Sequence, residues 1–224
     1  MRYLEDALRI DPGFAAAHAL IAWCHEWCFT RAGFDEKDKM AALLHARTAI
    51  VSSTDDATAL AIGGFVITML SKDHEAGLSA NERALALNPS CATAMYLGAV
   101  TYAFSGHAAA AMSLADRALR LSPFDVLAYQ AHLAQGTAAI QQTRYEDAAS
   151  HYAKALQANP SLSSNYFVGA AAFALAGRID EARSLASAGL KLEPGFRLRL
   201  FSELMARELA DRFIEGGRQL GLPE

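Results

Sequence analysis

The chain reads as an all-α protein, an α-α superhelix in which about five helix–turn–helix repeats stack as a solenoid. Three observations carry that expectation. The phrase Ala-Leu-X-Leu-X-Pro stands at residues 84–89 and returns 34 residues later at 118–123. Between the two lie apolar segments of helix length, divided by Ser105-Gly106. Hydrophobic residues make up 53% of the chain and charged ones 20%, with Ala prominent, which suits closely packed helices and excludes a disordered chain.

Aligning the sequence on that closing Pro gives anchors at Pro12, Thr54, Pro89, Pro123, Pro160 and Pro194, spaced by 42, 35, 34, 37 and 34 residues. Five positions before each anchor sits a small residue: Ala7, Ala49, Ala84, Ala118, Ala155 and Gly189. Large aliphatics follow them at Leu8, Ile50, Leu85, Leu119, Leu156 and Leu190. Twelve before the last five anchors lie Ala42, Gly77, Ala111, Ala148 and Ala182; ten after the first five lie Ala22, Gly64, Ala99, Leu133 and Ala170. Small side chains let two antiparallel helices approach closely, the aliphatic fills the seam to the next repeat, and the Pro stops the second helix. Leu133 breaks the rule, in the repeat that is three residues longer.

Residues 1–12 have the character of the second helix of a truncated repeat, with an apolar stripe at Tyr3, Leu4, Ala7 and Leu8. The stripe suggests a longer protein continuing upstream, or a second copy covering this end. Five repeats follow at 13–54, 55–89, 90–123, 124–160 and 161–194. The first carries eight extra residues, expected to enlarge the turn over 29–39. Gly63-Gly64 predicts a close backbone crossing, because a glycine pair would only weaken an isolated helix. In the fifth repeat Gly177 marks the turn and Asp180 is placed to cap the next helix. Residues 195–224 form a capping helical segment. Phe196, Leu200, Leu204, Met205, Leu209 and Phe213 lie on one side and arginines on the other, shielding the last seam.

Composition excludes several functions. A net charge of −4 offers no basic stripe for nucleic acid. The longest uncharged apolar run, 57–71, is shorter than the roughly 20 residues of a membrane helix. No apolar signal segment follows Met1-Arg2, and three cysteines make no disulfide framework, so a cytoplasmic protein is expected. His18, Cys24, His25 and Cys28 are the best metal candidates. No second ligand pair follows them, and small thiols also fill helix seams, so no metal or other cofactor is expected. No Gly-X-Ser-X-Gly elbow or phosphate loop is present. His132, His151, Glu146 and Asp147 read either as an acid–base set or as ordinary solvated residues; no catalytic role is assigned and the chain reads as no enzyme.

The 34-residue period, the small residues at fixed places and the terminal Pro resemble the tetratricopeptide repeat family over nearly the whole chain. The phrases at 84–89, 117–125, 176–183, 192–196 and 221–224 also look like the repeat region that follows a class III adenylate/guanylate cyclase domain or a winged-helix domain in bacterial signalling proteins. No residue here matches the cyclase metal-binding aspartate pair. In the tetratricopeptide pattern the first helix of each repeat lines a concave groove. The resemblance therefore implies partner-binding residues at Trp23, Phe65, Thr93, Tyr96, Val100, Gln130, Ser164 and Phe167. The four aromatics among them stand either as exposed anchors or packed between helices. Family members that grip carboxylate tails use Asn and Lys in the groove, where this chain has Trp23, Phe65, Val100, Ala134 and Ala171. An amphipathic helix or an extended peptide is the better match. The expected role is a non-catalytic protein-interaction scaffold regulating an attached effector. The alternative is a self-association module that dimerises an upstream cyclase.

Overall fold

A computed structural model describes residues 1–31 and 34–224; Ala32 and Gly33 of the expected enlarged turn lie outside the described residues. Every regular element among the described residues is a helix. The chain forms two compact units, residues 1–101 and 102–224.

The first unit contains α1 (Arg2–Ile10), α2 (Ala15–Arg31), α3 (Glu36–Ser52), α4 (Ala57–Ser71), α5 (His74–Leu87) and most of α6 (Ala92–Phe104). Helices α2 with α3, and α4 with α5, form antiparallel pairs, and α2 also packs on α4. Aspartates start several of them: Asp56 Oδ1 accepts from the backbone N–H of Thr58 and Ala59 at 2.9 and 3.0 Å, and Asp73 from Ala76 at 3.1 Å. The small-residue seams close as the alignment requires. Ala22, Ala42, Ala46, Ala49, Ala80 and Ala84 are all buried, and Ile50 and Leu85 pack on the cluster of Ala57, Leu60, Ala61, Ala84, Cys91 and Ala94.

The glycine pair is a close crossing. A Cβ on Gly64 would stand 2.8 Å from Gly77 O and 2.9 Å from Ala80 Cβ. The extra residues of the first repeat behave differently from expectation. Among the described residues they lengthen the helices, α2 and α3 having 17 residues each where α6 has 13. Phe29 and Phe34, expected to flank that loop, meet edge to face at 5.1 Å between ring centres.

The second unit holds the end of α6, then α7 (Ala108–Leu121), α8 (Ala128–Gln141), α9 (Tyr145–Ala158), α10 (Ser163–Leu175), α11 (Ile179–Leu192), α12 (Leu198–Ser202) and α13 (Arg207–Gln219). Helix α7 packs on α8, α8 on α9, α9 on α10 and α10 on α11. The turns that follow α6, α8 and α10 use one left-handed residue each, at Gly106 (φ 87°), Thr143 (φ 56°) and Gly177 (φ 79°). Where Leu133 replaces the small residue, the close approach moves one turn along. A Cβ on Gly136 would stand 2.8 Å from the Tyr152 ring, and the Tyr152 hydroxyl lies 2.8 Å from Thr137 Oγ1.

One expectation for this unit is corrected. Asp180 does not cap α11: the helix begins after Arg178, and Asp180 sits in its first turn. The terminal segment, expected as a helical cap over 195–224, holds two helices with a break at 203–206, and α13 packs on α8 and α10. The four large rings Phe167, Phe196, Phe201 and Phe213 form a continuous chain, so burying aromatic surface decides where this segment goes. Leu200, expected on its apolar face, is exposed.

Candidate functional site

The first helix of each pair is where the sequence places a binding surface, and these helices are buried far more completely than a partner-facing helix requires. Residues 59–70 of α4, 94–101 of α6 and 133–140 of α8 are buried without interruption. Of the eight predicted partner-binding residues, Trp23, Thr93 and Ser164 keep part of their surface. Phe65, Tyr96, Val100, Gln130 and Phe167 are buried, Tyr96 and Phe167 to 0% exposure. Of the two readings open for the four aromatics, three rings are packed between helices and Trp23 alone of the four keeps part of its surface. The physical reason is visible around each ring. Phe65 meets Trp23 edge to face at 6.4 Å, and Phe167 is stacked on Phe196 at 3.5 Å. Tyr96 lies within the unbroken buried run of α6.

In the second unit one face of the first helices α8 and α10 is covered by the chain itself. Helix α13 lies across α8 and α10, with Leu209, Phe213, Gly216 and Gly217 turned inward and Glu208, Asp211, Arg212, Glu215 and Arg218 outward. The two backbones touch: a Cβ on Gly216 would come within 2.6 Å of Ala171 O and 2.9 Å of Ala171 Cα. Ala206 N–H donates to Phe104 O at 3.2 Å, and Leu198 N–H to Pro223 O at 2.7 Å. Glu224 accepts from Arg199 Nε and Arg218 Nε at 2.8 Å each, which holds its carboxyl down at about 2. Sequence reasoning missed this occupancy, although the signal was present. Gly216-Gly217 is a second helical glycine pair, like Gly63-Gly64, and it follows Leu209 and Phe213 at helical spacing.

Helix α2 of the first unit carries buried polar groups. Glu26 is 3% exposed; burial pushes its carboxyl above the usual range, against the pull of Arg31 and a 3.4 Å bond from Thr30 Oγ1. The Trp23 indole N–H is buried without a partner.

The metal candidates separate into pairs. His18 Nε2–H donates to Pro12 O at 3.0 Å, which leaves Nδ1 to accept from His45 Nδ1–H at 2.8 Å. His25 Nδ1 lies 2.7 Å from Asp38 Oδ1, while Cys24 and Cys28 are exposed free thiols. Burial, then His18 and His25, lower the pKa of His45; burial, then Asp38, raises that of the Cys28 thiol. Among the described residues no three His, Cys, Asp or Glu side chains converge as metal ligands. The four residues considered for acid–base chemistry are also divided. His132 bonds Gln135 at 3.1 Å, Asp147 pairs with Arg144 at 2.9 Å and Glu146 with Arg178 at 3.4 Å. His151 Nδ1 is buried without a partner, so the carboxylates serve arginines rather than an imidazole. Among the described residues no helix is long and apolar enough to cross a membrane.

Comparison with known proteins agrees with this architecture. The tetratricopeptide repeat family matches residues 72–126 and 133–195, more than half of the chain. No curated protein matches the chain. Among solved structures, the type IV pilus biogenesis factor PilW is 18% identical, covering 84% of this chain and 82% of its own, with a TM-score of 0.59. PilF of Pseudomonas aeruginosa is 21% identical over 89% of this chain and 85% of its own, TM-score 0.54. The human IFIT1 dimer with PPP-AAAA is 20% identical over 84% of this chain and 44% of its own, TM-score 0.68. At these identities the likeness is one of fold, a fold generally used as a non-enzymatic scaffold for protein–protein contacts. With its paired helices, small-residue seams and matching repeats, the chain belongs to the tetratricopeptide repeat family.

Proposed function

We propose that this chain is a non-catalytic protein-binding scaffold whose first-of-pair helices take a peptide or an amphipathic helix on their inner face. The observation that carries the reading is that an amphipathic helix, α13, already lies across α8 and α10. A surface that accepts one such helix has the shape and chemistry to accept another. The net charge of −4 supports a protein partner over a polyanion. In the first unit Trp23 and Thr93 keep accessible surface and would be touched first, with Phe65, Tyr96 and Val100 buried; in the second unit Ser164 keeps surface, with Gln130 and Phe167 buried. The repeat phrases named above support a narrower role, the regulatory region of a larger bacterial signalling protein. The test is site-specific photo-crosslinking from Thr93 and Ser164, with Arg83 on the exposed side of α5 as control. A protein captured from the inner positions and not from Arg83 supports the reading; equal labelling from all three overturns it.

The alternative, self-association that would dimerise an upstream nucleotide cyclase domain, draws support from exposed apolar side chains. Met40, Leu44 and Val51 are 67%, 65% and 83% exposed along α3, and Tyr3 and Ile10 of α1 are exposed to 80% and 88%. Sedimentation at rising concentration tests it, because a strict monomer removes it.

A further inference from the structure

We propose that the inner face of α8 and α10 is an exchangeable helix-binding site, closed here by the chain's own α13. Its external partner would be an amphipathic helix of the same chemistry, two large apolar side chains one turn apart followed by a glycine pair. This rests on the reading of the chain as a protein-binding scaffold and names the class of partner.

Four observations carry it. The fit is specific to that chemistry. Leu209 and Phe213 are buried to 3% and 1% exposure, and Gly216 is the only residue type that lets α13 come so near Ala171, since a Cβ there would meet backbone that cannot rotate away. The repeats beneath do not depend on α13 for closure, because α8 and α10 are already paired with α9 and α11 through buried Ala148, Ala149 and Ala182. Beyond the apolar packing of Leu209, Phe213 and the glycine pair, the polar ties of this segment among the described residues lie at its ends: a backbone bond from Ala206 to Phe104, one from Leu198 to Pro223, and the exposed ion pairs of Glu224. Finally, α13 is not sealed in. Open cavities of about 420 and 620 Å³ flank it, one lined by Gly106, Gln142 and Arg207, the other by Arg199, Glu203 and Arg218.

The probe is a fluorescein-labelled peptide of residues 203–222, added to the full chain and followed by anisotropy. Phe213→Ala in the chain weakens the internal competitor and is expected to tighten peptide binding by about tenfold or more over the unaltered chain. Phe213→Ala in the peptide, or Ala171→Leu in the chain, is expected to abolish it. No binding by either chain overturns the proposal. A second measurement needs no variant: in the unaltered chain, α13 amides should exchange hydrogen at least about tenfold faster than those of α8 and α10, by local opening. Equal protection overturns the proposal. A dimer by light scattering, with α13 exchanged between copies, also overturns it, since the occupant is then a second copy. Crosslinking from Thr93 reports on the other unit, so a partner captured there with no peptide binding here would sink this inference and leave the broader reading standing.

Discussion

Adding one methyl group at Gly64 tests the close crossing of α4 and α5 directly. Two effects oppose each other. Ala is a better helix former than Gly by about 1 kcal/mol in a helix interior, which favours the variant. Against this, the new Cβ would lie 2.8 Å from the carbonyl oxygen of Gly77 and 2.9 Å from Ala80 Cβ, where ordinary contact begins near 3.4 Å. Neither atom can move by changing a rotamer, one being backbone and the other a methyl fixed to it. The pair of helices must therefore open by about 0.5 Å, and overpacking of this kind costs about 1–3 kcal/mol. With both contacts rigid the cost belongs to the upper half of that range, so Gly64→Ala should lose about 1–2 kcal/mol net. Urea unfolding followed by circular dichroism measures it. Gly13→Ala is the control, since its Cβ would meet only Asp11 Oδ1, at an ordinary 3.5 Å. A Gly64→Ala chain as stable as the parent, or more so, would refute the reasoning that small residues set this helix spacing.

Other outcomes follow from single groups. Tyr152→Phe removes the 2.8 Å bond with Thr137 Oγ1, which is buried; a loss of about 1–2 kcal/mol is expected by the same unfolding assay. Thr143→Gly should raise the melting temperature, because a β-branched residue is held at φ 56° in a region that costs about 1–2 kcal/mol without glycine. Burial, chiefly, lowers the pKa of His45, His132 and His151 from 6.5. The unfolded chain thus takes up protons first, and stability should be full above that pH and fall as the solution is acidified below it. Glu26 has the opposite sign: burial raises its carboxyl above 4.5, so its cost grows as pH rises from there. Glu26→Gln should accordingly gain on the parent at pH 8 relative to pH 4, read from the two melting curves.

The fold was legible because its determinants are local and periodic. Ala42, Gly77, Ala111, Ala148 and Ala182 recur where helices touch, and all five are buried. Leu133 departs from the pattern, and its compensation lies at Gly136, which carries no periodic mark and shows its use only against the Tyr152 ring. The site was less legible. Helical spacing says which residues share a face, not what covers that face, so for Tyr96 and Phe167 it leaves an exposed anchor and a packed ring equally open. What covers Phe167 is Phe196, 29 residues away and outside the repeat pattern. The pairing of His18 with His45 and of His25 with Asp38 depends likewise on the register of the α2–α3 hairpin. The two pairs stand seven residues apart on each helix, a regularity that appears only once the register is known.

The lengthened first hairpin has a geometric consequence. Counted from the same anchors, α2 ends two residues later than α4, and α3 begins three residues earlier than α5. At 1.5 Å per residue, the tip of the first pair overshoots the second by roughly 3–5 Å. That overhang carries Arg31 seated over the Trp27 ring at 3.9 Å. The rim of this unit therefore ends in a raised step, and a chain lying along the α4–α5 turn abuts it on one side only.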